Sequence, residues 1–535
     1  MRWLLLVQIG LLVVSLGCGS PSARGAAEAP RELAPSAKLL PARTRRLTNL
    51  ELERSLTAFT GLKLPIAAEL PPDVRQEGYT PNANQDVSAA WATRYASLVR
   101  ELSERAARER PELAPCRELE QAGCRARLTS ELGQRAFRRP LSADEQGALE
   151  QLLLEVARAG GSDVAGRALL LRALLESPSF LYLSELGAGG APGGRLRLTD
   201  FELASGLSFT LRGGPPDSEL LRAARAGELG DGAARIRQAR RLLSLPDTRH
   251  QFRRFALEWL EVDGLAQTAK SSQLFPDYDA LKPFMLSETE DYVDEVMVNG
   301  GASIGSLLAS GFASVGPEMA RFYGLSTYGA RASLAGTGRL GVLQQASFLA
   351  AHAHEDVTSP VKRGDFVMRK LLCERIMRPG ELGLEVVMPR PVATVTNREL
   401  LSQHASDPGC ASCHTTLDAI GFSFEGFDAM GRAQSSDQGK PISTSVKLHL
   451  PPGAGAERGF ASSEALTRGL LEMPVVSECF ARHAFRYFSA QADPAVEASF
   501  LALRAQLPSE RRDSLIEVLL AYVGSDLFAL REVPR

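Results

Sequence analysis

Apolar residues along the chain recur mainly at helical spacing. Phe252, Phe255 and Trp259 stand three and four residues apart, the repeat that lines one face of a helix, and predict core positions. The predicted helix starts carry their own chemistry. In Leu47-Thr48-Asn49-Leu50-Glu51-Leu52, Thr48 can cap a helix and Glu51 can return a bond to the cap backbone. Leu47 and Leu52 then close an apolar staple across it. Leu198-Thr199-Asp200-Phe201-Glu202-Leu203 repeats the arrangement, and Ser142 with Glu145 gives a third capping box after Pro140-Leu141. Strand signal is sparse. Lys440 to Leu450 alternates enough for one short strand or hairpin, and isoleucine occurs only eight times. The pattern predicts a mainly α, multidomain protein with few short strands.

Punctuation divides the chain further. Residues 43–105 form a first helical unit, with a loop near Pro71-Pro72-Asp73, and residues 113–186 a second, its helices ended by Gly160-Gly161 and Ser177-Pro178. Gly187 to Gly194 reads as a flexible loop before a larger helical region, 198–330. Residues 338–435 are chemically distinctive and include a non-helical crossing marked by Pro379, Pro389 and Pro391; residues 460–530 are a last helical unit.

Composition narrows the function classes. At 535 residues the chain exceeds one domain. Lys plus Arg (61) balances Asp plus Glu (63), a net charge of −2, which excludes a broadly basic nucleic-acid binder. A hydrophobic content of 44% excludes wholesale disorder. Only the first segment is apolar enough to enter a bilayer, which excludes a polytopic membrane protein. Met1-Arg2 supplies positive charge, Trp3 to Leu16 a short apolar run, and Ser15-Leu16-Gly17-Cys18 a small residue before cysteine. That layout resembles a bacterial lipoprotein signal, 1–17. Cys18 is then the first mature residue and the lipid carrier, although Ser15 and Leu16 depart from the best-matching signals. Gly19 after Cys18 resembles the signature of lipoproteins sorted to an outer membrane. Residues 18–42, rich in Ala, Pro, Ser and Glu, read as a flexible tether.

Outside the cytoplasm disulfides persist. With Cys18 assigned to lipid and Cys410 and Cys413 to the motif below, four cysteines remain. Cys116 and Cys124 are close in sequence and are paired here; Cys373 and Cys479 are left for each other by elimination, one of three possible connectivities.

The chemistry centres on Cys410-Ala411-Ser412-Cys413-His414. Two thiols three residues apart can reach both vinyl groups of one haem, and the following histidine falls under the iron as proximal ligand. Covalent attachment of this kind takes place outside the cytoplasm, in agreement with the signal. A zinc ribbon needs a second ligand pair, and no other C-x-x-C occurs. A thioredoxin-like pair needs a βαβ setting that the pattern lacks. The sixth iron ligand stays open between Met430, Met473 and His404, with His449 a further nitrogen alternative. Gly301-Ala302-Ser303-Ile304-Gly305 matches a nucleophile elbow only formally, because a helix-like rather than strand-like stretch precedes it. His352-Ala353-His354-Glu355-Asp356 looks metal-like but reads better as a helix end, Lys362-Arg363 as either a propionate partner or a solvated pair, and Asp418, Glu425 and Asp428 as capping and turn residues rather than acid/base groups.

Ordered blocks then bring a resemblance into view. Arg45-Arg46-Leu47-Thr48, Phe137-Arg138-Arg139-Pro140-Leu141-Ser142, Ser177-Pro178-Ser179-Phe180-Leu181, Leu198 to Leu207, Pro215-Pro216-Asp217, Arg321-Phe322-Tyr323-Gly324 and Gly341-Val342-Leu343 follow in sequence. After them come Thr358-Ser359-Pro360-Val361-Lys362-Arg363-Gly364, the C-x-x-C-H segment with Gly421-Phe422 and Phe427-Asp428, and Cys479-Phe480-Ala481-Arg482 to Phe485-Arg486-Tyr487. Together they resemble the planctomycete-cytochrome-like family, exported proteins built from five consecutive domains of unknown function. Arg212, Ala405 and Ala419 depart from its usual Trp, Arg and Pro, and none lies in the haem peptide. The resemblance implies an exported, helical protein with one covalent haem c. Its expected activity is electron transfer with an exported redox partner. A haem-dependent oxidoreductase acting on an extracellular substrate, and a non-redox surface-binding lipoprotein, are the alternatives. The family leaves open whether the protein is an enzyme.

Overall fold

The three capping boxes form as the spacing requires. Thr48 Oγ1 accepts from the Glu51 amide at 3.2 Å, and Glu51 Oε2 accepts from the Thr48 amide at 2.8 Å. Ser142 with Glu145 and Thr199 with Glu202 repeat the exchange at the heads of helices Ala143–Arg158 and Asp200–Arg212. Leu47 and Leu52, the staple residues, are fully buried. The computed structural model describes residues 36–113, 118–299, 301–377, 379–383, 394–404, 408–449 and 456–534. Cys18, Cys116 and the lipoprotein signal lie outside them. Helices dominate, and the strands form two-stranded antiparallel sheets among the described residues.

Short strands join parts of the chain far apart in sequence. The first unit opens with a strand, Arg43–Arg46, that pairs antiparallel with Tyr182–Glu185. Arg45 forks onto both oxygens of Glu51 at 2.8 Å, so the first capping box is locked by a buried ion pair. Strand Leu530–Glu532 pairs with Arg195–Arg197. Glu532 also exchanges backbone hydrogen bonds with Leu40 and Ala42, at 2.8 and 2.7 Å. Between these strands lies Glu185. Burial would raise its carboxyl, but Arg43 and Arg531 on either side bring it below the usual carboxylate range. The alternation near 440–450 becomes strand Val446–His449, paired with Glu457–Phe460.

Apolar packing does not follow the linear divisions. One cluster gathers Leu52, Phe59, Trp91, Leu132 and Phe180 from the first two units. A larger one takes residues from 198–330, 338–435 and 460–530 alike. Phe252, Phe255 and Trp259 lie on helix Thr248–Trp259 and belong to it. Trp259 meets Phe480 edge-on at 5.2 Å and Phe255 meets Phe488 at 5.4 Å, tying this helix to Pro474–Ser489. A disulfide joins Cys373 to Cys479, Cα to Cα 5.5 Å, across 106 residues of sequence. Cys124 lies in helix Ala122–Phe137 and is disulfide-bonded. No helix among the described residues is long and apolar enough to cross a membrane.

Candidate haem-attachment site

The C-x-x-C-H segment lies in helix Pro408–Phe422. At 3.6 residues per turn, positions 410, 413 and 414 fall on one side of that helix. The helix is seated against Pro360–Phe366 by two glycines. A Cβ at Gly364 would stand 2.1 Å from the Leu417 carbonyl oxygen, and one at Gly421 would stand 2.0 Å from that of Pro360. Only glycine allows the two backbones to approach so closely. Pro360 begins the supporting helix, whose cap, Ser359, accepts from the Lys362 amide. Beyond Phe366 the chain continues as a π-turn, Val367–Leu371.

His414 is half-buried, and its Nδ1 lies 3.0 and 3.2 Å from the two carboxylate oxygens of Asp418. A carboxylate accepts, so Nδ1 carries the proton and the ring lone pair falls on Nε2. The hydrogen bond holds the imidazole above its usual pKa, outweighing partial burial. Asp418 is itself buried. Sequence reasoning gave it a capping role; the structure gives it to the histidine. The four-residue spacing was the available signal, since it aligns two side chains on one helix face.

The loop after the motif is held by an arginine that sequence reasoning left solvated or facing propionates. Arg363 is 0% exposed. It donates to the carbonyls of Phe424 (3.0 Å), Asp428 (3.1 Å), Leu349 and Phe427, the arrangement of a structural cation filled with backbone acceptors. Buried Glu425 accepts from Thr358 Oγ1 at 2.8 Å and from Asn397, and burial raises its carboxyl despite the nearby Arg363. Asp428 has the turn role expected of it, accepting from the amides of Met430 and Arg432. Arg339 bonds the Gly431 carbonyl and stacks on Tyr323 and Phe427, at 4.0 and 4.6 Å. Tyr323 donates to buried Glu288 at 2.6 Å, and burial pushes that carboxyl up to about 8.

The other singled-out residues are dispersed. Met430 is 0% exposed in a third apolar cluster with Ala346, Ala350 and Tyr323. Met473 caps helix Pro474–Ser489, partly buried against the main core. His404 ends helix Asn397–His404, and His449 ends an exposed strand edge. Ser303 caps helix Ile304–Ala309 and is no elbow nucleophile. His352 follows helix Ala346–Ala351, buried, with Nε2 2.9 Å from the Leu260 carbonyl; burial brings its pKa down to about 4. A cavity of about 400 Å³ is lined by His354, Thr358, Pro360, Asn397 and Leu401, from the elements beside the motif helix rather than from that helix itself. Cys373, Cys479 and His483 bring two sulfurs and an imidazole together, but here the sulfurs are bonded to each other.

Four stretches match described families in order. Residues 45–108 match PSD3, protein of unknown function (DUF1587), and 124–185 match PSD5, protein of unknown function (DUF1595). Residues 198–325 match PSD4, protein of unknown function (DUF1592), and 339–437 match PSCyt3, protein of unknown function (DUF1588). The chain belongs to the planctomycete cytochrome-like family. In this family member the PSCyt3 stretch holds Gly364, the motif, Asp418, Gly421 and the Arg363-braced loop together. No curated protein matches the chain, and no solved structure does.

The residues fit a covalently attached haem. The attachment positions share a helix face with a histidine whose outer nitrogen is already held by a carboxylate, the partner that metal-ligating imidazoles commonly have.

Proposed function

We propose that this planctomycete cytochrome-like protein is an exported, lipid-anchored carrier of one haem c that passes electrons to or from an exported partner. Cys410 and Cys413 form the thioethers, and His414 is the proximal ligand. Cys18 carries the lipid. When bound, the haem supplies an iron that gains and loses single electrons. The chain supplies the rest. Asp418 keeps the proton on Nδ1 and fixes the ring plane, so Nε2 is the ligating atom. The Gly364–Leu417 and Gly421–Pro360 contacts fix the helix that carries the ligand. Arg363 holds the following loop by its carbonyls, so little of the surroundings has to move when charge changes.

The observation that carries the proposal is the His414–Asp418 hydrogen bond inside the C-x-x-C-H helix. The test is a visible spectrum and pyridine haemochrome assay on protein matured in a host competent for c-type haem. One covalent haem per chain is expected by intact mass, lost in Cys410→Ala/Cys413→Ala. A colourless product of polypeptide mass from such a host overturns the proposal. Release of Cys18→Ser into soluble fractions is expected for the anchor.

A further inference from the structure

Away from the haem helix, the Cys373–Cys479 disulfide borders a cavity of about 960 Å³, lined in part by Cys373, His483, Glu77, Glu374, Arg375 and Arg486. The two sulfurs and one ring nitrogen of His483 lie within 4.8 Å of one another. His483 is buried. It donates Nε2–H to the Arg369 carbonyl at 3.2 Å, which places the lone pair on Nδ1, and Nδ1 is buried without a hydrogen-bond partner. A buried nitrogen lone pair without a partner is costly unless something occupies it. An imidazole fixed by a backbone carbonyl on one nitrogen and open on the other is the state in which histidine binds metals.

The geometry points to a second, redox-gated site: with the disulfide reduced, Cys373, Cys479 and His483 bind one copper(I) ion. Two features select this ion. Two thiolates and an imidazole are a soft donor set. Three donors satisfy copper(I), whereas structural zinc takes four. The surrounding charges are paired: Arg369 and Lys370 with Glu261, and Arg486 with Glu77 and Glu497.

The chemistry balances with a dithiol reductant. Its two thiols form a disulfide and deliver two electrons and two protons, and the Cys373–Cys479 bond breaks to two thiols. Copper(I) then displaces the two protons. The cavity gives a reductant and the ion a route to Cys373. The site is independent of the haem assignment.

The test uses the full chain with Cys410→Ala and Cys413→Ala, which removes the thiols of the C-x-x-C motif. Copper(I) is titrated against a chromophoric chelator, before and after phosphine reduction under native conditions. One additional tightly held copper per chain is expected after reduction, with two sulfur and one nitrogen scatterers by X-ray absorption. His483→Gln is expected to weaken binding at least tenfold and to remove the nitrogen scatterer. Cys373→Ser/Cys479→Ser is expected to lose the additional equivalent. Equal copper in that chain before and after reduction, a comparison that leaves the three proposed ligands intact, overturns the inference. So does unchanged affinity in His483→Gln. Zinc bound more tightly, with a fourth light ligand, overturns the choice of ion.

Discussion

Asp418 receives the Nδ1–H of His414 from one turn along the same helix, at 3.0 Å to one oxygen and 3.2 Å to the other. In the proposed haem site a carboxylate here would make the imidazole a stronger electron donor and favour the more positive iron state. Asp418→Asn keeps the shape and removes the charge. A charged hydrogen bond is worth ~1.5 kcal/mol or more, which corresponds to a potential about 60 mV higher. Spectroelectrochemistry of the matured protein measures it. An unchanged potential means that Asp418 only supports the helix.

The helix crossing can be probed without touching any ligand. Alanine normally improves a helix by ~1 kcal/mol over glycine. At Gly421 the added Cβ meets a carbonyl at 2.0 Å, so the clash is expected to win and destabilise by ~2 kcal/mol or more. Gly459, where a Cβ meets nothing within 4 Å, serves as control, with a change within ~0.5 kcal/mol. Denaturant unfolding followed by circular dichroism reads both. Equal effects at the two positions would refute the close crossing.

Glu288 predicts a pH dependence. Its folded pKa, about 8, lies above the usual carboxyl value, because burial disfavours the charge. The folded state therefore retains a proton that the unfolded state releases. The stability it supports is complete below about pH 4.5 and falls as pH rises toward 8, by up to ~1.4 kcal/mol per unit. Glu288→Gln keeps an acceptor for Tyr323 and cannot ionise. It is expected to be more stable than the parent at pH 8 and equal at pH 4.5, by thermal unfolding at both. A parallel pH profile in the two proteins counts against it.

Arg363 is the test of the loop brace. Arg363→Met keeps the stem and removes the donors: the Phe424 and Asp428 carbonyls keep only the Phe427 and Gly431 amides, and buried Glu425 loses its cation. A loss of ~3 kcal/mol or more is expected. Lower haem occupancy should accompany it, since the loop follows the attachment helix directly. Normal stability would show that other groups satisfy those carbonyls.

The local rules of the chain were legible because they act over three or four residues. Capping boxes, the staple and the Phe252–Trp259 stripe depend on neighbours alone. The mainly α fold and the family followed from such blocks in order. What escaped was set at long range. Arg363 looks solvent-bound in sequence, and only the return of residues 424–428 turns it inward. Asp418 lay within reach, but an acidic residue in a helix has several roles, and only geometry separates capping from histidine orientation. The first strand, Arg43–Arg46, carries no alternating apolar pattern. Its register is tied instead by the ion pair of Arg43 with Glu185, 142 residues further along the chain.

The pairing of Glu532 with Leu40 and Ala42 means that the proposed leash enters the fold through the same doorway that the chain's far strand closes. Pulling on the proposed anchor therefore loads both of these segments at once. Peeling away Leu39–Ala42 would strip Glu532 of those bonds and leave Leu530–Glu532 held by Arg195–Arg197 alone, so resistance to such a pull is set by segments far apart in sequence.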